Sequence, residues 1–388
     1  MIKQDKIIKK SFSFKIFNLE TSLLVGIILA FVFLYQMAFV ETSNKNFEEL
    51  ALGENTKGFT GKSGNTKIHC HNLTDYQECL SDYSKFGNNN PITLWLGNSQ
   101  LHAINDYQEG QKTASTMFFD KAKKQKKYLL TLSQPNANLQ EHLIILSHLI
   151  KKVPIENLIL PIVFDDLRED GIRKNLQDIF YDEKSIKFIR TSEIGNNLIL
   201  NHAQNDSSGN ETNKNTKSFQ DSSESYLNKK MEEVWPLWLK RSSLRGELFN
   251  SLYKFRNFAF NIDPTSTRKI LPGQYKKNLQ ALKAILKIAN KNNIKTLIYV
   301  VPIRNDIKIP YNLNEYDNFK KDIQKIATNN KIEFKNFENL VPNSMWGEKS
   351  TTTLENNNEV DFMHFKSSGH EILANSIFTE MTKIWSLN

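Results

Sequence analysis

Short apolar runs alternate along this chain with stretches whose apolar positions recur every three or four residues. Ile92–Leu96, Tyr128–Leu132, Leu158–Phe164, Thr296–Val301 and Ile332–Phe337 are the runs, and each is bounded by polar or turn-forming residues. Runs of this length predict buried strands. Between them, Leu143, Ile144, Leu146 and Leu149 mark one face of a helix from about Leu139 to Lys151. Further helices are predicted after Ser99, from Tyr275 to about Asn290, through about Ala327, and from Ser368 to the end. Strands that alternate with helices predict an α/β three-layer sandwich, with a central parallel sheet of about five strands covered on both faces.

The pattern changes in three places. Thr21–Val40 carries no formal charge and is apolar on every face. Twenty helical residues span roughly 30 Å, the thickness of a bilayer's hydrocarbon core, and predict one N-terminal transmembrane helix. Lys3, Lys6, Lys9, Lys10 and Lys15 precede it, whereas Glu41, Glu48, Glu49 and Glu54 follow it with Lys45 alone against them. Basic residues stay on the cytoplasmic side, so residues 1–20 form an inside tail and the body lies outside. Residues 41–66 are polar and predict a linker, leaving 67–388 as the folded domain. Within that domain, 201–225 has almost no apolar residue and predicts a disordered loop. Residues 226–260, with Trp235, Trp238, Leu248 and Phe255, predict a helical insertion that serves as a lid or a partner surface.

Composition narrows the function classes. With 39% apolar and 24% charged residues the 388-residue chain can build a large core. The formal charge of +9 comes from scattered lysines mixed with Asn and Asp, a solvated surface rather than a nucleic-acid footprint. No nucleic-acid partner is expected. The two cysteines, Cys70 and Cys79, do not have metal-ligand spacing, but in an oxidising compartment they can form a disulfide. Asp165 and Asp166 lack companions at ligand spacing, so neither a metal nor a cofactor is expected.

In a parallel sheet, ligands bind beyond the carboxyl ends of the strands. Ser99, Asn136, Asp165, Arg304 and the Asp361–His364 loop all follow strands or fall at that end. Gly97-Asn98-Ser99 after the first strand, with Asp361-Phe362-Met363-His364 before the last helix, resembles the SGNH, or GDSL-type, hydrolase family. The resemblance covers about residues 90–200 and 270–388 and implies an SGNH/flavodoxin-like sheet. It also implies a Ser99 nucleophile, a His364 base and an Asp361 partner that orients the imidazole.

The chain departs from the family's pattern in three places. Asn98 stands where Asp is usual, Asn136-Ala137-Asn138 lacks the usual Gly, and Phe164-Asp165-Asp166-Leu167-Arg168 lacks the Gly-x-Asn-Asp motif. Gly97, Asn98, Asn136, Asn138 and Asp165 therefore stand as oxyanion or substrate candidates. Arg168, Arg173 and Arg304 stand as candidates for an anionic substrate group. His102, His142 and His370 are expected on helix surfaces, with His102 close enough to Ser99 to line a pocket.

The resemblance extends to membrane-tethered relatives that work beside a multipass membrane acyltransferase, the D-alanyl transfer and alginate O-acetylation proteins. It implies a single-pass protein of the bacterial cytoplasmic membrane, acting outside on an acyl ester of an anionic or neutral envelope glycan. A free-standing esterase for small esters is the second expectation. The third is an impaired scaffold of the same fold that binds glycan or the acyltransferase.

Overall fold

The computed structural model describes residues 55–71, 73–87, 90–208, 254–260, 266–350 and 358–386, with a few isolated positions besides. The expected inside tail, most of the expected transmembrane helix, the loop beyond residue 208 and most of the helical insertion lie outside the described residues. Among the described residues no helix is long and apolar enough to cross a membrane. The chain divides into two compact units, Met1–Lys45 with Lys217–Leu248, and Asn46–Thr216 with Phe249–Asn388. The second unit holds the central sheet and the Ser99, Asp361 and His364 positions.

Its strands are β1 (Thr56–Gly58), β2 (Lys62–Ser63), β3 (Thr66–Lys67), β4 (His69–Cys70), β5 (Ile92–Gly97), β6 (Ala103–Asn105), β7 (Tyr128–Ser133), β8 (Ile155–Ile162), β9 (Lys295–Val300), β10 (Glu333–Asn336), β11 (Trp346–Lys349) and β12 (Glu359–Phe365). Its helices are α1 (Leu73–Gly87), α2 (Ser99–His102), α3 (Ala114–Ala122), α4 (Leu139–Leu149), α5 (Glu183–Ile189), α6 (Glu193–Ser208), α7 (Pro272–Lys291), α8 (Leu313–Asn329) and α9 (Ser367–Ser386). The five expected strands are β5, β7, β8, β9 and β10. A sixth, β4, joins the sheet edge, and the order is β10-β9-β8-β5-β7-β4 with every pair parallel. Two residues with a histidine among them carry no apolar run, which is why β4 escapes sequence reading.

β5 is buried along its whole length, as a central parallel strand covered on both faces must be. From β5 the chain crosses to β7 on one side, then returns past β5 to β8 and β9 on the other. Right-handed crossovers in opposite directions place their helices on opposite faces. Accordingly α4 packs with α7, and α3 packs with α9. The winding reverses at β5, so the crevice that open α/β sheets use for ligands opens at its carboxyl end, next to Ser99.

Four local expectations are corrected. Residues 55–66 are not simply a linker, because β1 pairs with β6 and β2 with β3. Residues 201–208 are helical rather than loop, continuing α6. The helix after Ser99 stops at His102 and gives way to β6, an exit fixed by the Ala103 amide donating to the Ser99 carbonyl. The Asp361–His364 segment lies on strand β12, paired antiparallel with β11, rather than on a loop.

Cys70 and Cys79 are joined in a disulfide that ties β4 to α1. With a sequence separation of nine between the bonded positions, loop-closure entropy gives the bond about 2–3 kcal/mol. Reduction, or Cys79→Ser, is expected to lower the melting temperature by several degrees, read by calorimetry with and without reductant.

Candidate active site

The β5 run ends at Gly97, where a side chain would collide with Leu101 of the following turn. Glycine there lets α2 fold tightly against the strand end. Asn98 caps α2: its Oδ1 accepts from the Gln100 amide at 3.0 Å, while its Nδ2 donates to Asp166 Oδ2 at 3.0 Å. The turn that presents Ser99 is thus held from both ends of one amide.

Folding brings β12 to this turn. Ser99 Oγ lies 3.0 Å from His364 Nε2, and His364 Nδ1 lies 3.0 Å from Asp361 Oδ2. The Asp361 carboxylate also accepts from the Met363 and His364 amides, each at 3.0 Å, and from Asn105 Nδ2 at 3.0 Å. Burial alone would raise the Asp361 carboxyl. The adjacent His364 imidazole and the hydrogen bonds it receives outweigh burial and hold it well below the usual carboxylate range. An ionised Asp361 accepting from Nδ1–H leaves the Nε2 lone pair facing the serine hydroxyl, the tautomer a general base needs.

Two residues that sequence reading did not single out hold this relay together. Gln100, buried on α2, donates through Nε2 to the carbonyls of Pro302 at 2.9 Å and Met363 at 2.8 Å, pinning β12 beside the Ser99 turn. Asn105 on β6 is the fourth donor to Asp361, and a side chain at Gly347 would collide with it. Neither could be found in the sequence, because their partners lie more than two hundred residues away.

The other candidates are placed elsewhere by their bonds. Asn136 is exposed at a φ of 53°, where its short polar side chain suits the left-handed turn between β7 and α4. Asn138 is the N-cap of α4, in a capping box with Glu141, and its Nδ2 donates to the Gly171 carbonyl at 2.9 Å. Both asparagines thus have places in the turn and cap that join β7 to α4. Arg168 and Arg268 pair with Asp165, which also accepts from Tyr311. The Arg268 guanidinium lies over the Phe362 ring at 5.0 Å, bracing the strand that carries Asp361. Arg173 pairs with Glu141 at 2.7 Å, and Arg304 pairs with Asp306 at 2.7 Å and donates to the Gly347 carbonyl at 2.9 Å. Arg168, Arg173 and Arg304 thus have structural partners rather than open anion-facing ends. Asp166 is buried, and burial, followed by the charge of Asp165, pushes its carboxyl well above its ordinary value.

His102, His142 and His370 are buried, not on the surface. α4 is buried on almost every face, and the His370 ring bridges Ala103 and Ala114, donating from Nε2 to the Ala103 carbonyl at 2.9 Å. Burial lowers the His142 imidazole to about 3 and that of His370 to about 4, from 6.5. Between pH 6.5 and 4 the unfolded chain binds protons at these positions that the folded protein refuses. Stability is therefore full above pH 6.5 and falls as the solution is acidified toward those lower values. For His370 the loss is about 3 kcal/mol, from 1.36 kcal/mol per unit. Melting curves at pH 7, 5.5 and 4 are expected to show a steady fall; a flat profile would contradict it.

No family model matches the sequence, and no curated protein matches it. Among solved structures the chain is similar to a GDSL-like lipase from Bacteroides thetaiotaomicron VPI-5482, at 11% identity and a TM-score of 0.36, over 80% of this chain and 98% of that one. It is also similar to a carbohydrate esterase family 2 enzyme with its carbohydrate-binding domain from Corynascus thermopiles (Myceliophthora fergusii). There the identity is 8% and the TM-score 0.33, over 76% of this chain and 68% of that one. The functional reading rests on the geometry of the site itself.

Proposed function

We propose that the protein is a serine esterase or O-acyltransferase working through a covalent Ser99 intermediate. The carrying observation is the unbroken relay from Asp361 through His364 to Ser99, with 3.0 Å at both links. In the first half-reaction His364 Nε2 takes the Ser99 proton as Oγ bonds the acyl carbon. The ester C–O bond breaks, and the leaving alkoxide receives that proton from His364. In the second half-reaction a water or an acceptor hydroxyl gives its proton to His364 as its oxygen bonds the acyl carbon; the bond to Oγ breaks, and His364 returns the proton to Ser99 Oγ. The Ser99 amide, fixed at the start of α2, is the candidate donor to the oxyanion.

The substrate we propose is an acyl ester of a cell-envelope glycan. The protein would be anchored in the bacterial cytoplasmic membrane with its body outside and a multipass membrane acyltransferase as its partner. The charge asymmetry around Thr21–Val40 supports this placement, as does the Cys70–Cys79 disulfide, a bond that persists in oxidising compartments. The test incubates the full chain with O-acetylated glycans, with and without unacetylated acceptors, and follows acetate by NMR. Ser99-dependent release or transfer is expected. A folded protein that turns over no acyl ester would instead support the scaffold reading.

A further inference from the structure

Three histidines outside the relay meet at the same end of the sheet. His69 and His71 are two residues apart at edge strand β4, and residues two apart in extended chain point to one face. Cys70, between them, is held toward α1 by its disulfide. The strand's two faces are thereby assigned, sulfur to the helix and imidazoles to the other side. The third, His102, ends α2, one turn after Ser99. One ligand nitrogen from each ring can be chosen so that all three lie within 4.8 Å of one another, and the ring centroids are 4.6–6.1 Å apart.

We propose that His69, His71 and His102 form a binding site for one divalent transition-metal ion of the zinc class. Imidazole is a preferred ligand of zinc and its neighbours, and no carboxylate is in the set to favour magnesium or calcium. Zinc binds imidazole nitrogen at about 2.0–2.1 Å, so tetrahedral ligand nitrogens stand about 3.4 Å apart. Closing from the present separations takes roughly an ångström, within the reach of side-chain rotation at His71, which is only partly buried.

The ring nitrogens are already drawn together. His69 Nε2 and His102 Nδ1 both meet the Ser133 hydroxyl, at 2.5 and 3.0 Å, and Ser115 Oγ meets His69 Nδ1 at 3.1 Å. One hydroxyl proton serves one of the two rings at Ser133 and the other ring donates, so a metal bound at these nitrogens displaces the hydroxyl and releases the ring proton. The bond from Ser115 fixes the outer nitrogen of His69, as second partners do for metal-ligating histidines. Three protein ligands leave a fourth position open. The adjoining cavity, lined by His71, Gly97, Ser133, Gln134 and His142 among others, holds about 10 Å³, on the order of one water molecule.

The site is tested on the full chain, freed of metal with a chelator and titrated with Co²⁺, with the visible absorption of tetrahedral cobalt as the readout. One equivalent is expected to bind, to be displaced by Zn²⁺, and to raise the melting temperature. His71→Gln and His102→Gln are each expected to weaken binding at least about 100-fold, beyond the 10–100-fold typical of a residue that only orients a ligand. His142→Gln, at the same cavity but outside the trio, is expected to leave affinity within a few fold. Circular dichroism confirms that each variant is folded, and the partly buried His71 position keeps the test open if His102→Gln does not fold. Absence of saturable binding at one equivalent, or equal affinity in the folded His71→Gln protein, would overturn the proposal and leave the trio a hydrogen-bonded core cluster.

Discussion

Replacing Ser99 with alanine is expected to lower kcat for ester turnover by about 10⁴–10⁶-fold while leaving KM and the fold almost unchanged. The substitution removes one oxygen, and with it the only bond that the acyl group can form in the relay. His364 Nε2, 3.0 Å from that oxygen, loses its target but keeps its own partner. Backbone contacts of the turn survive, since Asn98 and Gln100 hold it without using the hydroxyl. Steady-state kinetics on a short activated ester, beside a melting curve, separate the two effects. Combining Ser99→Ala with His364→Ala is expected to cost little more than either alone, because the residues act as one unit.

Asp361→Asn is expected to reduce kcat about 10⁴-fold, and unlike Ser99→Ala it also destabilises the protein. The carboxylate accepts on both oxygens, from two amides on Oδ1 and from His364 Nδ1 and Asn105 Nδ2 on Oδ2. An asparagine must turn its NH₂ toward one of these donor pairs. Toward Oδ1's partners it opposes two amide hydrogens. Toward Oδ2's partners it opposes Asn105 and imposes the wrong tautomer on His364, whose Nε2 then carries a proton and cannot take one from Ser99. An unsatisfied buried donor costs about 1–3 kcal/mol, so the melting temperature falls with the rate. A variant with wild-type kcat would show that the His364–Asp361 contact is structural only.

How much of the molecule is legible in its sequence depends on the kind of signal each residue leaves. The four inner parallel strands, β5, β7, β8 and β9, and the helices between them follow from apolar runs and helical periodicity, since burial on both faces leaves little choice of residue. The relay is legible because two of its members lie close together in Asp361-Phe362-Met363-His364, and because Gly97-Asn98-Ser99 stands at the end of a buried apolar strand. Gln100 and Asn105 are not, because a polar side chain does not disclose which distant carbonyl or carboxylate it will meet. His142 and His370 are misplaced on the surface for a related reason. A helix sandwiched between a sheet and a second helix buries even its polar positions, as α4 does. The His69–His71 alternation is visible in principle. Cys70 and its disulfide draw attention from the residues on either side, and the partner His102 arrives only through the parallel pairing of β4, β7 and β5.

The central claim is that Ser99 is an activated nucleophile, and the most direct measurement is covalent labelling. The folded protein is treated with a fluorophosphonate, and the adduct is located by peptide mass spectrometry in wild type, Ser99→Ala and His364→Ala. The relay predicts a single adduct on Ser99 in the wild type, none in Ser99→Ala, and labelling slowed by orders of magnitude in His364→Ala. No adduct at Ser99 in folded wild-type protein, or equal labelling without His364, would contradict it.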